Sequence, residues 1–190
     1  MAVYLFGLLL FFAVHSISIV NEPWRDRMAA RLGEAGWQGL YSLVSLAGFV
    51  LIVWGYGTLQ STPALIYSPP IWLRHVAVLL MLPVFPLLLA TYLPGYIKRT
   101  TQHPMLIATM LWSAAHLLAN GTAADLLLFG TFLAWAIADR ISMSRRQQRP
   151  LHMLPNCRLN DLFAIVGGLA LYAAFLLKLH VWLFRVSPLG

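Results

Sequence analysis

The sequence predicts an all-α, polytopic integral membrane protein, a single bundle of about six transmembrane helices spread over residues 1–190. Three observations carry that prediction. The chain is 60% hydrophobic and only 10% charged, where a soluble domain carries roughly 25% charged residues. Its apolar residues gather into six segments, at about 2–21, 37–56, 71–93, 104–120, 123–141 and 161–184. Most approach the ~20 residues needed to cross a ~30 Å hydrocarbon core. Finally, alternate loops collect ten lysines and arginines on one side of the bundle and three, Arg74, Lys178 and Arg185, on the other. By the positive-inside rule both termini then lie outside the cytoplasm. Mean hydropathy, at +0.75, agrees.

The first segment lacks a basic leader and a small-residue cleavage site, so it is expected to be a retained span. The loop NEPWRDRMAARLGEAGW opens on Pro23 and mixes charges with apolar residues, which predicts a short interfacial helix closed by Gly33. Residues 57–70 hold Pro63, Pro69 and Pro70 and should be irregular. Within the third span Pro83 and Pro86 should produce a kink, because proline removes a backbone donor and collides with the preceding turn.

The fourth and fifth spans are separated by little more than Asn120-Gly121, a tight αα-hairpin with Gly121 as the residue just past the helix end. Thr122 and Asp125 then have the spacing of a capping box. Asn160-Asp161 should start the last helix, after the polar connection SRRQQRPLHMLPNCRLN. Trp24, Trp37, Trp54, Trp72 and Trp182 lie near span ends, as an aromatic belt does.

Composition also excludes. One cysteine, Cys157, rules out a disulfide framework, a thiolate metal cluster and covalent haem attachment through CxxCH. All six acids, Glu22, Asp26, Glu34, Asp125, Asp139 and Asp161, sit near span ends, which argues against paired-carboxylate catalysis inside the membrane. There is no nucleophile elbow and no glycine-rich phosphate loop. The net charge of +7 reads as membrane topology, so no nucleic-acid partner is expected.

Histidine is the remaining chemistry. His15 and His116 fall inside the first and fourth spans. Each either hydrogen-bonds across to a neighbouring helix or ligates a metal or cofactor. Two buried imidazoles with no thiolate or carboxylate suit a bis-histidine haem better than zinc, which takes three or four protein ligands. On the fourth span Thr109, Ser113, His116 and Asn120 share one face, a polar ribbon needing an interior partner. Trp112, Phe11, Phe12, Ala114 and Ala115 are candidates to line a porphyrin slot. His103 lies thirteen residues before His116, about 220° around the helix, so the two cannot share a face. His75 and His180 are expected at interfaces and His152 in solvent. His15 and His116 differ in expected depth, with His116 roughly 18 Å into a helix that enters from the side nearer His15.

Several stretches resemble the NnrU family of membrane proteins: FAVHS at 12–16, RLGEAGWQGLYSLVSLAG at 31–48, HPMLIATMLWSAAHLLANG at 103–121 and LLLFGTFLAWAIADR at 126–140. That family is associated with nitrite and nitric oxide metabolism in denitrifying bacteria. It is in turn similar to 15-cis-ζ-carotene isomerase, a membrane haem b protein. The resemblance implies non-covalent haem b ligated by His15 and His116, with His103 a candidate beside the site or an alternative ligand, and Trp112, Ser113 and Asn120 around it. It implies residence in the bacterial inner membrane among lipids, and partners such as nitric oxide, an apolar polyene or a membrane redox protein. Three functions follow as expectations: a haem b protein of nitrogen-oxide metabolism, a haem-dependent cis-trans isomerase, or a cofactor-free assembly partner.

Overall fold

The computed structural model describes residues 1–146 and 153–189. Expectations for Arg149 and His152 lie outside the described residues.

Among those residues every regular element is a helix, with one isolated bridge, Leu65 to Thr122, in place of any sheet. Helix α1 is Ala2–Val20 and α2 is Glu22–Leu59. At Gly33 α2 breaks, where φ is 72° and ψ 155°. A side chain is strained in that left-handed region and glycine is not, so the interfacial helix ends where the sequence placed its end. The third apolar segment is two helices, α3 (Ile71–Met81) and α4 (Val84–Ala90), parted at Leu82-Pro83 as the proline required. A short α5 (Tyr96–Thr101) leads to α6 (Pro104–Ala119), which opens on proline, and then α7 (Ala123–Met143). The last span is α8 (Asn160–Ala174), a π-helical turn at Phe175–Leu179, and α9 (His180–Phe184). Five of these stretches are long and apolar enough to cross a membrane: Ala2–Val20, Glu22–Leu59, Ile71–Ala90, Ala123–Met143 and Asn160–Phe184. With 16 residues, α6 is the shorter apolar helix beside them.

Helix α1 lies between α2 and α7. Helix α6 packs against α7, α3 and α4, and α8 closes on α4. The pairing of α1 with α2 depends on three glycines. A Cβ on Gly55 would sit 2.6 Å from Tyr4 Cα, one on Gly48 2.8 Å from the Phe11 nitrogen, and one on Gly7 2.7 Å from the Ile52 nitrogen. Lipid is as apolar as leucine, so such helices gain by close backbone approach rather than by burying more hydrocarbon. Tyr4, fully buried, then ties α1 to the start of α7 by donating its hydroxyl to the Ala124 carbonyl at 2.7 Å.

Two termini differ in detail from the sequence expectation. Gly121 follows the α6 cap residue Asn120, yet it has no left-handed φ. Its small size serves a neighbour instead. The Gly121 carbonyl accepts from Ile66 and Tyr67 N–H, and a Cβ there would strike the Tyr67 carbonyl oxygen. At α8, Asn160 and Asp161 are already helical. Asn160 donates to the Pro94 and Pro155 carbonyls, while Asp161 accepts from Tyr96 and Ile97 N–H at 2.7 and 3.0 Å. Asp161 caps α5 across space rather than its own helix, and Asn160 ties the helix start to the preceding loops. The Thr122/Asp125 capping box forms as expected.

Candidate functional site

On α1, residues 11 and 15 are one turn apart, so the His15 imidazole lies over Phe11. Its Nδ1 is 2.7 Å from the Phe11 carbonyl oxygen, and the two rings stack at 4.0 Å. On α6 the same spacing recurs: His116 Nδ1 lies 2.8 Å from the Trp112 carbonyl, with the rings 5.1 Å apart. A carbonyl only accepts, so in both cases Nδ1 carries the hydrogen. In the neutral ring Nε2 then bears the lone pair, the tautomer in which histidine ligates a metal through Nε2. These bonds run within each helix. Interhelical hydrogen bonding, the alternative use of such residues, is not what occupies Nδ1.

Helix α7 packs against both histidines. Its Phe129 ring packs on His116 at 4.6 Å and its Trp135 ring meets His15 edge-on at 5.8 Å. Phe132 joins them, 5.7 Å from Phe11, 4.9 Å from Phe12 and 5.3 Å from Trp112. Tyr41 of α2 closes the His15 side at 5.2 Å. Phe129 and Trp135 are six residues apart, about 9 Å along a helix. The depth difference expected from the sequence is therefore present, and the intervening space holds aromatic rings.

Four side-chain polar atoms of the described residues are buried without a hydrogen-bond partner: Ser45 Oγ on α2, Ser113 Oγ on α6, Trp135 Nε1 beside His15, and Nη1 of Arg146 just past the end of α7. Arg146 spends its other donors on Asp139, at 2.5 Å from Nη2, and on the Met143 sulfur. Asp139 lies within electrostatic reach of both His15 and His103. His103, at the α6 N-terminus, thus joins the end of the bundle where His15 sits and not the end where His116 sits. Burial, with Arg140 and Arg146 nearby and Asp139 opposing, holds its imidazole below the ordinary value.

The remaining candidates separate. Asn120 donates to the His116 carbonyl at 2.9 Å and closes the helix end. Thr109 donates to Met105 of its own helix. His75 is exposed, and His180 bonds the Val186 carbonyl at 2.8 Å. Sequence reasoning missed Phe132, Trp135, Tyr41 and the Asp139–Arg146 pair. The three-residue spacing of Phe129, Phe132 and Trp135 was the available signal, since it lines rings along one side of α7.

The donor chemistry fits haem b: two imidazoles with Nδ1 anchored, apolar aromatic walls and buried donors lacking acceptors. His15 and His116 are the side chains that would hold its iron, with the rings of Phe11, Phe132 and Trp112 beside them.

Fold and site together define an all-α bundle of membrane-type helices with two histidines, on α1 and α6, each set among aromatic rings. The family model described as NnrU protein matches residues 3–188, nearly the whole chain, and the protein belongs to the NnrU family. Searches of curated proteins and of solved structures return no match.

Proposed function

We propose that this protein is a membrane haem b protein, with His15 and His116 as axial ligands in bis-histidine fashion and a role in nitrite or nitric oxide metabolism. One observation carries the reading. Both imidazoles are anchored through Nδ1 to the carbonyl four residues earlier, at 2.7 and 2.8 Å, which orients each ring and reserves Nε2. The metabolic setting rests on the family resemblance. When bound, the iron supplies one-electron chemistry and, if one ligand leaves, a position for a small gas. The chain's own residues hold the rings, exclude water with Phe11, Phe129 and Phe132, and keep both imidazoles neutral donors. In this reading the protein lies in the bacterial inner membrane, with the arginine-rich end towards the cytoplasm and both termini in the periplasm.

Optical spectra of the purified protein, oxidised and reduced, test it. A Soret band is expected, lost in His15→Ala and in His116→Ala. Stoichiometric haem retained by both variants would overturn the ligand assignment.

A further inference from the structure

Asp139 and Arg146 form an ion pair at the end of α7, 2.5 Å apart, with side chains only 12% and 11% exposed. A buried pair of this kind adds little net stability, because desolvating two charges offsets most of their attraction. It does supply a fixed dipole in a medium that screens charge poorly.

The place of that dipole follows from the helix. Asp139 is four residues beyond Trp135, one turn along the same face of α7. The Trp135 ring meets the His15 ring at 5.8 Å. Further along, Ala138 and Ser142 of α7 line one cavity with Ser18 and Ile19 of α1. The two helices therefore run side by side from the level of His15 to that of Ser18, and Asp139 falls within this stretch. Its carboxylate lies within electrostatic reach of His15 and of Tyr41, whose ring stands 5.2 Å from the imidazole. Arg146 reaches back to Asp139 from beyond the helix end at Ser144. The negative end of the pair is thus the one on the Trp135 and His15 side.

We propose that Asp139 and Arg146 act through His15 as positioning residues that set how readily the iron bound there is reduced. The carboxylate favours positive charge at the site, and the guanidinium limits that effect. The assignment rests on the haem reading above and concerns the regulation of that same site.

Haem-loaded protein in phosphatidylcholine nanodiscs is titrated with dithionite as the electron donor and ferricyanide as the acceptor. The Soret band reads the ferrous-to-ferric ratio at each potential, at about pH 8, above the ordinary carboxylate range. Asp139→Asn removes the negative end and leaves the guanidinium charged. The reduced form should gain about tenfold, a rise of about 59 mV for one electron. Asp139→Asn with Arg146→Gln removes both charges, so no lone charge stays buried, and it keeps the test open if the single variant does not fold. Only the dipole is lost there, and the reduced form should gain about threefold. Arg146→Lys preserves the charge and should stay near wild type. Arg27→Gln, on the exposed face of α2, should change nothing, since solvent screens it. A merely structural pair would lower the unfolding midpoint and leave the potential where it was. An unmoved or lowered potential in the single variant, or in the double one, overturns the assignment and leaves the haem reading standing. Wild type that binds no haem overturns both.

Discussion

His15 donates its Nδ1 hydrogen to the carbonyl oxygen of Phe11, 2.7 Å away on the same helix, and stacks on the Phe11 ring at 4.0 Å. A ring fixed twice by one neighbour has little freedom to turn. His116 and Trp112 repeat the hydrogen bond at 2.8 Å on α6. Both helices thus prepare an imidazole by local means, while α7 packs against both. Four predictions follow from the contacts around this pair and beneath it.

The α1–α2 seam should tolerate no Cβ at Gly55. With Tyr4 Cα only 2.6 Å from that position, both backbones must separate. Gly55→Ala should cost about 1–3 kcal/mol. Gly57→Ala has nothing within 4 Å and serves as the control with little change. Unfolding in mixed micelles with increasing dodecyl sulfate measures both. Equal stability of the two variants would refute the close approach.

Asp125 ties the end of α2 to the start of α7. It is 3% exposed, accepts from Tyr56 at 2.5 Å and closes the Thr122 capping box. Asp125→Ala should destabilise by about 3 kcal/mol and Tyr56→Phe by about 1.5 kcal/mol, since the first removes the acceptor for several buried donors and the second one donor. Under the same unfolding assay, a larger loss for Tyr56→Phe would contradict this ordering.

Acid should weaken the fold in part through His103. Burial, chiefly, and Arg140 hold its imidazole below the ordinary value of 6.5. A histidine with a depressed folded value contributes nothing above the unfolded value. As pH falls through about 6.5 towards the folded value, the unfolded chain takes up more protons and stability drops. His103→Asn should lessen the fall in thermal midpoint between about pH 7.5 and about pH 5.5. An unchanged fall would place the titration elsewhere.

Trp135→Phe should leave the apoprotein within about 1 kcal/mol of wild type. The smaller ring forfeits packing against His15 and Phe12, but it also removes a buried N–H with no acceptor, and the two effects offset. A loss of about 3 kcal/mol in the unfolding assay would mean that the indole nitrogen has a partner after all.

Much of this architecture is local and was therefore readable. Proline at 83 breaks the third span, glycine at 33 ends the interfacial helix, and Thr122 with Asp125 caps α7, because each acts within a few residues of itself. Gly121 shows where such reading stops. Its position after α6 was legible, but its reason, the Tyr67 carbonyl crossing above it, comes from a loop more than fifty residues earlier. His103 shows the same limit. Helical spacing separated it from His116, and only the packing of α6 on α7 placed it near Asp139 and Arg146.

By itself the sequence determined the membrane-type helices and most of their ends, since hydropathy, caps and breakers are short-range properties. The tertiary structure alone decided that Trp135 of α7 meets His15, that three glycines bring α1 onto α2, and that Tyr56 reaches Asp125. Those relations join residues dozens of positions apart. They are set by which helix faces fit together, and side-chain packing across helices leaves no periodic trace along the chain.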